Sequence, residues 1–169
     1  MSDVAALLEP LIPALRRYAF ALTRNHAAAD DLVQDCLERA VSRWYLRGAD
    51  AQLRPWLFTI LHNLFMSAQR TRGRQPVHEV FDFMSEAAAA VAPTQEESLA
   101  SRDILERFGA LSEDHQEVLL LVGVEGMAYA SVARVLGVPV GTVMSRLSRA
   151  RNQFRRLLDG ERPALRRVK

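Results

Sequence analysis

The chain has 169 residues, 49% hydrophobic and 25% charged, with a net charge of +2 and a pI of about 9.1, a make-up that suits one globular domain or two small ones with a packed core. Cys36 is the only cysteine, which excludes an internal disulfide framework or a zinc site. No stretch approaches the roughly 20 apolar residues needed to span a bilayer, and the start of the chain, with Asp3, Glu9, Pro10 and Pro13, does not resemble a signal peptide, so a cytoplasmic protein without membrane insertion is expected.

In chain order, Leu11, Leu15, Tyr18, Ala19 and Leu22 share one face of a first helix, with Pro13 in its opening turn. After the break Thr23-Arg24-Asn25-His26 a second helix should run to about Trp44 and bury Leu32, Val33, Cys36, Leu37, Ala40, Val41 and Trp44. Asp30 and Asp31 fall in its first turn, where the helix dipole favours carboxylates. Asp31, Gln34, Asp35 and Glu38 line another face, an acidic strip that taken alone reads as a solvated surface.

Residues 47–52 read as a loop, rich in residues that break helical patterning. A third helix from about Leu53 to Arg72 carries a wide apolar stripe of Trp56, Leu57, Ile60, Leu61, Leu64 and Phe65, with Pro55 in its first turn. Its opposite face is expected to present Arg54, His62, Asn63, Met66, Ser67 and Arg70, and Arg72 and Arg74 extend the positive charge. Trp56 shares the face of Ile60 and reads as core, and His62, with no cysteine or acidic ligand at metal spacing, reads as a polar surface residue.

Between Arg74 and Arg102 there is no Lys or Arg, while Glu79, Asp82, Glu86, Glu96 and Glu97 flank an alanine-rich run ending at Pro93. That shift in composition marks a linker. From about Thr94 a fourth helix carries Leu99, Ile104, Leu105 and Phe108. Ser112 then reads as the N-cap of a helix with Glu113 and Asp114 in its first turn and Val118, Leu119, Leu121 and Val122 along it.

The stretch from Ala128 to Arg151 reads as two helices joined by a glycine turn. Val132, Ala133, Val135 and Leu136 form the first apolar face, Gly137 suits the left-handed conformation that ends a helix, and Pro139 opens the next. In the second helix Val143, Leu147, Ala150 and Phe154 face inward, leaving Thr142, Ser145, Arg146 and Arg149 outward, with Arg151 beyond them. Hydroxyls near a helix start approach phosphates or base edges, and arginine neutralises phosphate and forks onto guanine. From Arg146 onward nine basic residues stand against two acidic ones, a surface that seeks a polyanion. No segment alternates with period two, so the fold class is all-α.

The run from Gly137 to Arg151 closely resembles region 4.2 of the extracytoplasmic-function (ECF) sigma factors of bacterial RNA polymerase. Asp30-Asp31-Leu32-Val33-Gln34-Asp35 is similar to their core-binding segment in region 2, and Trp56-Leu57-Phe58-Thr59-Ile60 through Asn63 resembles the helix that meets the −10 element. The resemblance implies sigma region 2 over residues 1–75, an acidic, Ala-rich flexible linker over 76–94, and sigma region 4 over 95–169. It implies that Asp31, Gln34, Asp35 and Glu38 dock on the β′ clamp helices of core RNA polymerase, and that region 4 reaches the β flap. Thr142, Ser145, Arg146, Arg149 and Arg151 would read the −35 duplex, and Arg54, Asn63, Met66 and Arg70 would trap the melted −10 strand. An anti-sigma partner is implied by the same exposed faces, while no cofactor, metal or catalytic residue is.

The chain departs from the family at Met144, where members often carry lysine, and at Ala128, where a Ser or Thr cap is common and whose absence weakens the helix start by about 1 kcal/mol. Two other classes compete. A dimeric helix-turn-helix repressor or activator would need a dimerisation or effector domain, and an enzyme would need a phosphate loop, metal cluster or nucleophile–base pair that the sequence does not offer.

Overall fold

The computed structural model describes residues 2–47, 52–72 and 103–160, and among these every regular element is helical. The proposed linker 76–94, most of the loop 47–52, the start of the fourth helix and the basic tail with Arg162, Arg166, Arg167 and Lys169 lie outside the described residues. The elements are α1 (Ser2–Leu8), α2 (Ile12–Thr23), α3 (His26–Ser42), α4 (Leu53–Arg72), α5 (103–109), α6 (Glu113–Leu119), α7 (Tyr129–Leu136) and α8 (Val140–Leu158). Single 3₁₀ turns at Glu9–Leu11 and Trp44–Leu46 follow α1 and α3, and a π turn, Leu120–Val124, follows α6.

Helices α2, α3 and α4 form the amino-terminal unit. Their periodic stripes meet in a core of Leu15, Tyr18, Ala19, Val33, Cys36, Ala40, Leu57, Phe58 and Leu61, with the Tyr18 and Phe58 rings 5.3 Å apart. Cys36 donates its thiol to the Leu57 carbonyl at 3.5 Å, and burial pushes it up to about 12, so it is an inert core residue. Asn25 caps α3 by accepting from the Ala28 N–H at 2.9 Å. The cap starts the helix at His26, so Asp30 and Asp31 lie in the second turn rather than the first. Val41 is exposed instead of buried, because it stands at the margin of the Ala29–Val33–Cys36–Ala40 stripe. Trp44 and Trp56 meet edge to face at 6.2 Å as partly buried members of the core.

The carboxy-terminal unit is built on α5 to α8. Ser112 takes the N-cap conformation of α6 without a side-chain bond, and Ala128 does the same for α7. Gly137 closes α7 at φ 65°, with the Val138 N–H returning to the Ala133 carbonyl at 3.1 Å. Phe108 of α5 packs edge-on against Phe154 of α8 at 5.9 Å, and the Arg107 guanidinium caps the Leu157 and Leu158 carbonyls at the end of α8.

The two units share one apolar cluster. Leu120, Leu121, Met127, Val132, Ala133, Val135 and Val143 join the cluster formed by α2, α3 and α4, with α7 packed on α4 and α6 against α2.

Candidate nucleic-acid interface

Asp31, Gln34, Asp35 and Glu38 are all exposed on one face of α3, where their spacing of three and four residues stacks them over two turns. Gln34 donates to Glu38 at 3.0 Å, and Arg16 neutralises Asp30 at 3.2 Å just outside the strip.

Along α4, Asn63, Met66 and Arg70 recur at three- and four-residue steps and are exposed, a single stripe toward the carboxy-terminal half of the helix. Arg54 does not belong to it. Four and seven residues before Phe58 and Leu61, it lies on the buried side, its guanidinium 6.0 Å from the Phe58 ring and bonded to Glu125 of the other unit. His62 is also inside rather than on the surface, 7% exposed, because Tyr18 of α2 and Glu117 of α6 close against it. Its Nδ1 and the Tyr18 hydroxyl share a hydrogen bond at 3.1 Å.

On α8 the inward stripe is Val143, Leu147 and Ala150, all buried, with Phe154 half-buried. Arg149 and Arg151 are exposed, whereas Thr142, Ser145 and Arg146 are half-buried. Ser145 donates its hydroxyl to the Thr142 carbonyl at 3.1 Å, and Arg146 pairs with Asp114 of α6 at 3.2 Å. A hydroxyl bonded to its own helix and a guanidinium held by a carboxylate are less available to DNA than the period alone suggests. The exposed face also presents Met144, Ser148, Asn152 and Arg155, which border a shallow groove with Tyr129 of α7. Arg155 and Arg156 lie in the last turn of α8, since buried Leu157 extends the apolar period.

Polar groups also cross between the two units. Glu125, 1% exposed, receives Arg17 on Oε1 at 2.9 Å and Arg54 on Oε2. Arg24 bonds Gln116, which itself donates to the Gly109 and Leu111 carbonyls at 3.2 and 2.7 Å. Glu117 comes within 3.6 Å of His62 Nδ1. Burial, with Asp114 and Glu113 nearby and Arg146 opposing, raises the Glu117 carboxyl to about 7, and burial lowers His62. Each shift favours the neutral form, so near neutral pH the contact is not a full ion pair. Burial, with Glu117 nearby, raises Tyr18 as well, so its hydroxyl stays protonated beside His62.

Residues 8–62 match the family described as "Sigma2 domain of PhyR", and residues 101–154 match "Sigma-70, region 4". The ECF RNA polymerase sigma factor EcfG of Rhodopseudomonas palustris is 38% identical over 149 residues, which span 87% of this chain and 80% of that protein. The chain belongs to the ECF sigma factors. SigL of Mycobacterium tuberculosis, another ECF sigma factor, is 31% identical over 91% of this chain and 88% of its own length. The sigma factor RpoE of Bartonella quintana, solved in complex with the anti-sigma factor NepR, superposes with a TM-score of 0.78 at 36% identity, covering 96% of this chain and all of that one. A sigma factor recruits RNA polymerase to promoters, and a stand-alone repressor is not favoured for this chain.

In this sigma factor, sequence reading missed Arg17, Gln116 and Glu125, which act between the units. A polar residue buried by a neighbour some 100 residues away leaves no periodic signal. The hint for Glu125 was its place before Gly126, in a turn that aims it inward. Among the described residues no group of His, Cys, Asp and Glu is arranged to hold a metal ion, and no helix is long and apolar enough to cross a membrane.

Proposed function

We propose a division of labour along this sigma factor. Asp31, Gln34, Asp35 and Glu38 of α3 dock on the basic clamp helices of the polymerase β′ subunit, and the carboxy-terminal unit meets the β flap. Helix α8 lies in the −35 major groove, with Arg149 and Arg151 making the first contacts and Thr142, Ser145 and Arg146 completing them as Asp114 yields Arg146. Asn63, Met66 and Arg70 of α4 hold the melted −10 strand, joined by Arg54 once Glu125 releases it, so that trapped bases keep the duplex open without any covalent chemistry by this chain. Region 2 comprises 1–75, the linker 76–94 and region 4 95–169, and the protein works in the cytoplasm under an anti-sigma factor of the NepR class.

What supports the reading most is the charge layout: an exposed acidic strip on α3 stands apart from exposed cations on α4 and α8. One chain thus presents a surface for a basic protein and two for a polyanion. Run-off transcription with purified core polymerase tests it. A promoter-specific transcript that depends on the chain is expected, and a footprint on DNA without polymerase, with no transcript, would favour a repressor.

A further inference from the structure

We propose that Glu125 is an intramolecular latch: its carboxylate takes the place of a nucleic-acid phosphate on Arg17 and Arg54, holds the carboxy-terminal unit on the amino-terminal one, and gives way when single-stranded DNA claims the same arginines. The reading of the chain as a promoter-binding factor enters only in naming the competing ligand.

Three observations carry it. The first is aim. Glu125 follows the π turn Leu120–Val124, and its N–H returns to the Leu120 carbonyl at 2.8 Å while the Met127 N–H returns to Leu121 at 2.9 Å across Gly126 at φ 63°. The backbone therefore fixes where the side chain points, and π turns of this kind concentrate at functional sites. The residues on either side, Val124 and Gly126, are exposed, yet the Glu125 side chain is 1% exposed.

The second is chemistry. Arg17 reaches Oε1 through both Nη2, at 2.9 Å, and Nε, at 3.2 Å, and Arg54 occupies Oε2, so one carboxylate carries two guanidinium groups as a phosphate would. Both arginines come from the amino-terminal unit, 108 and 71 residues away in sequence.

The third is balance. A carboxylate buried without partners is costly, so Glu125 is stable inside only while both arginines face it, and on undocking it returns to water. The arginine side chains remain 30% and 39% exposed, and Arg54 Nε is buried with no hydrogen-bond partner. The latched state leaves that donor unsatisfied, and a competing phosphate that accepts from it gains a hydrogen bond that Glu125 does not make.

The test uses the full chain without polymerase, its radius of gyration from small-angle scattering, and a labelled oligo-dT of about 12 nucleotides, enough for one single-strand site. Glu125→Gln and Arg17→Ala should each expand the chain with helix content kept, and Glu125→Gln, which leaves both arginines to the DNA, should tighten oligo-dT binding. If the open fraction rises from about a third to nearly all, the gain is about threefold. Arg17→Ala separates the latch from the ligand: it should open the chain as Glu125→Gln does, yet bind oligo-dT less tightly than Glu125→Gln, because it has lost one of the cations that the DNA claims. Either variant staying as compact as the parent, or Glu125→Gln binding oligo-dT no more tightly than the parent, overturns the proposal. The unsubstituted chain supplies an arm that needs no variant to fold: saturating oligo-dT should expand it, and an unchanged radius with DNA bound overturns the latch. Failure of the sigma assignment shows separately, as no promoter-specific transcript with core polymerase, and leaves the comparison of radii standing.

Discussion

Arg146 and Arg149 are three residues apart on α8 and have different surroundings. Arg149 is exposed, and Arg146 is half-buried against Asp114 at 3.2 Å. An exposed arginine enters the groove without first giving up a partner, so Arg149→Ala should cost about 1–3 kcal/mol and relax preference at one −35 position. Arg155→Ala, in the last turn, should weaken all sequences alike and lower the salt slope by about one. A panel of −35 mutants at two salt concentrations separates them, and equal behaviour would move base readout to Thr142 and Ser145.

Glu117 gives a second prediction at this scale. It is faced by Tyr18 from α2, His62 from α4, Arg146 from α8 and Asp114 and Glu113 on its own helix, and its carboxyl is raised to about 7. The native chain then holds a proton that the unfolded chain gives up between the ordinary carboxylate range and pH 7, so this group makes stability fall as pH rises through that window. Glu117→Gln should flatten that fall, by as much as roughly 3 kcal/mol. Urea denaturation at pH 5 and pH 8 measures it, and an unaltered pH slope in the variant would place the effect on another group.

At the scale of elements, α3 holds an exposed acidic strip because its buried stripe, Ala29, Val33, Cys36 and Ala40, faces the other way. Asp31→Arg with Asp35→Arg should therefore leave folding intact and sharply weaken binding to core polymerase, since like charge replaces complementary charge. Pull-down with core enzyme checks this, and undiminished capture would remove α3 from the docking surface. The α7–α8 turn rests on Gly137, at φ 65° with open space where a Cβ would stand. Gly137→Ala meets no clash, only the left-handed backbone, and should cost about 1 kcal/mol in thermal stability; a neutral result would show the turn relaxing to another conformation.

For the whole molecule, the shared cluster matters more than either unit. Leu121 is buried in a cluster that also contains Leu15, Phe58 and Leu61. Leu121→Ala should cost about 2–5 kcal/mol and shift one cooperative unfolding transition of the free chain. Calorimetry that resolves two transitions, only one of them moved, would mean that the units are stabilised independently.

The sequence by itself determined the longer helices and the acidic face of α3. The bounds of α4, the buried face of α7, the Gly137 stop and the inward stripe of α8 follow from 3.6-residue periodicity and turn chemistry, which are local and survive in any all-helical packing. So does the exposed strip Asp31, Gln34, Asp35 and Glu38. The short helix α1 went unseen because it buries little beyond Leu8 and shows no stripe. Only the tertiary structure decided that Arg54 and His62 turn inward, that Arg146 is held by Asp114, and that Glu125 joins the two units. Each depends on which helix covers which, and a polar residue at the edge of an apolar stripe has no periodic signature of its own. Its environment is set by a partner 32 to 108 residues away, and pairing at that distance is a property of the packed chain.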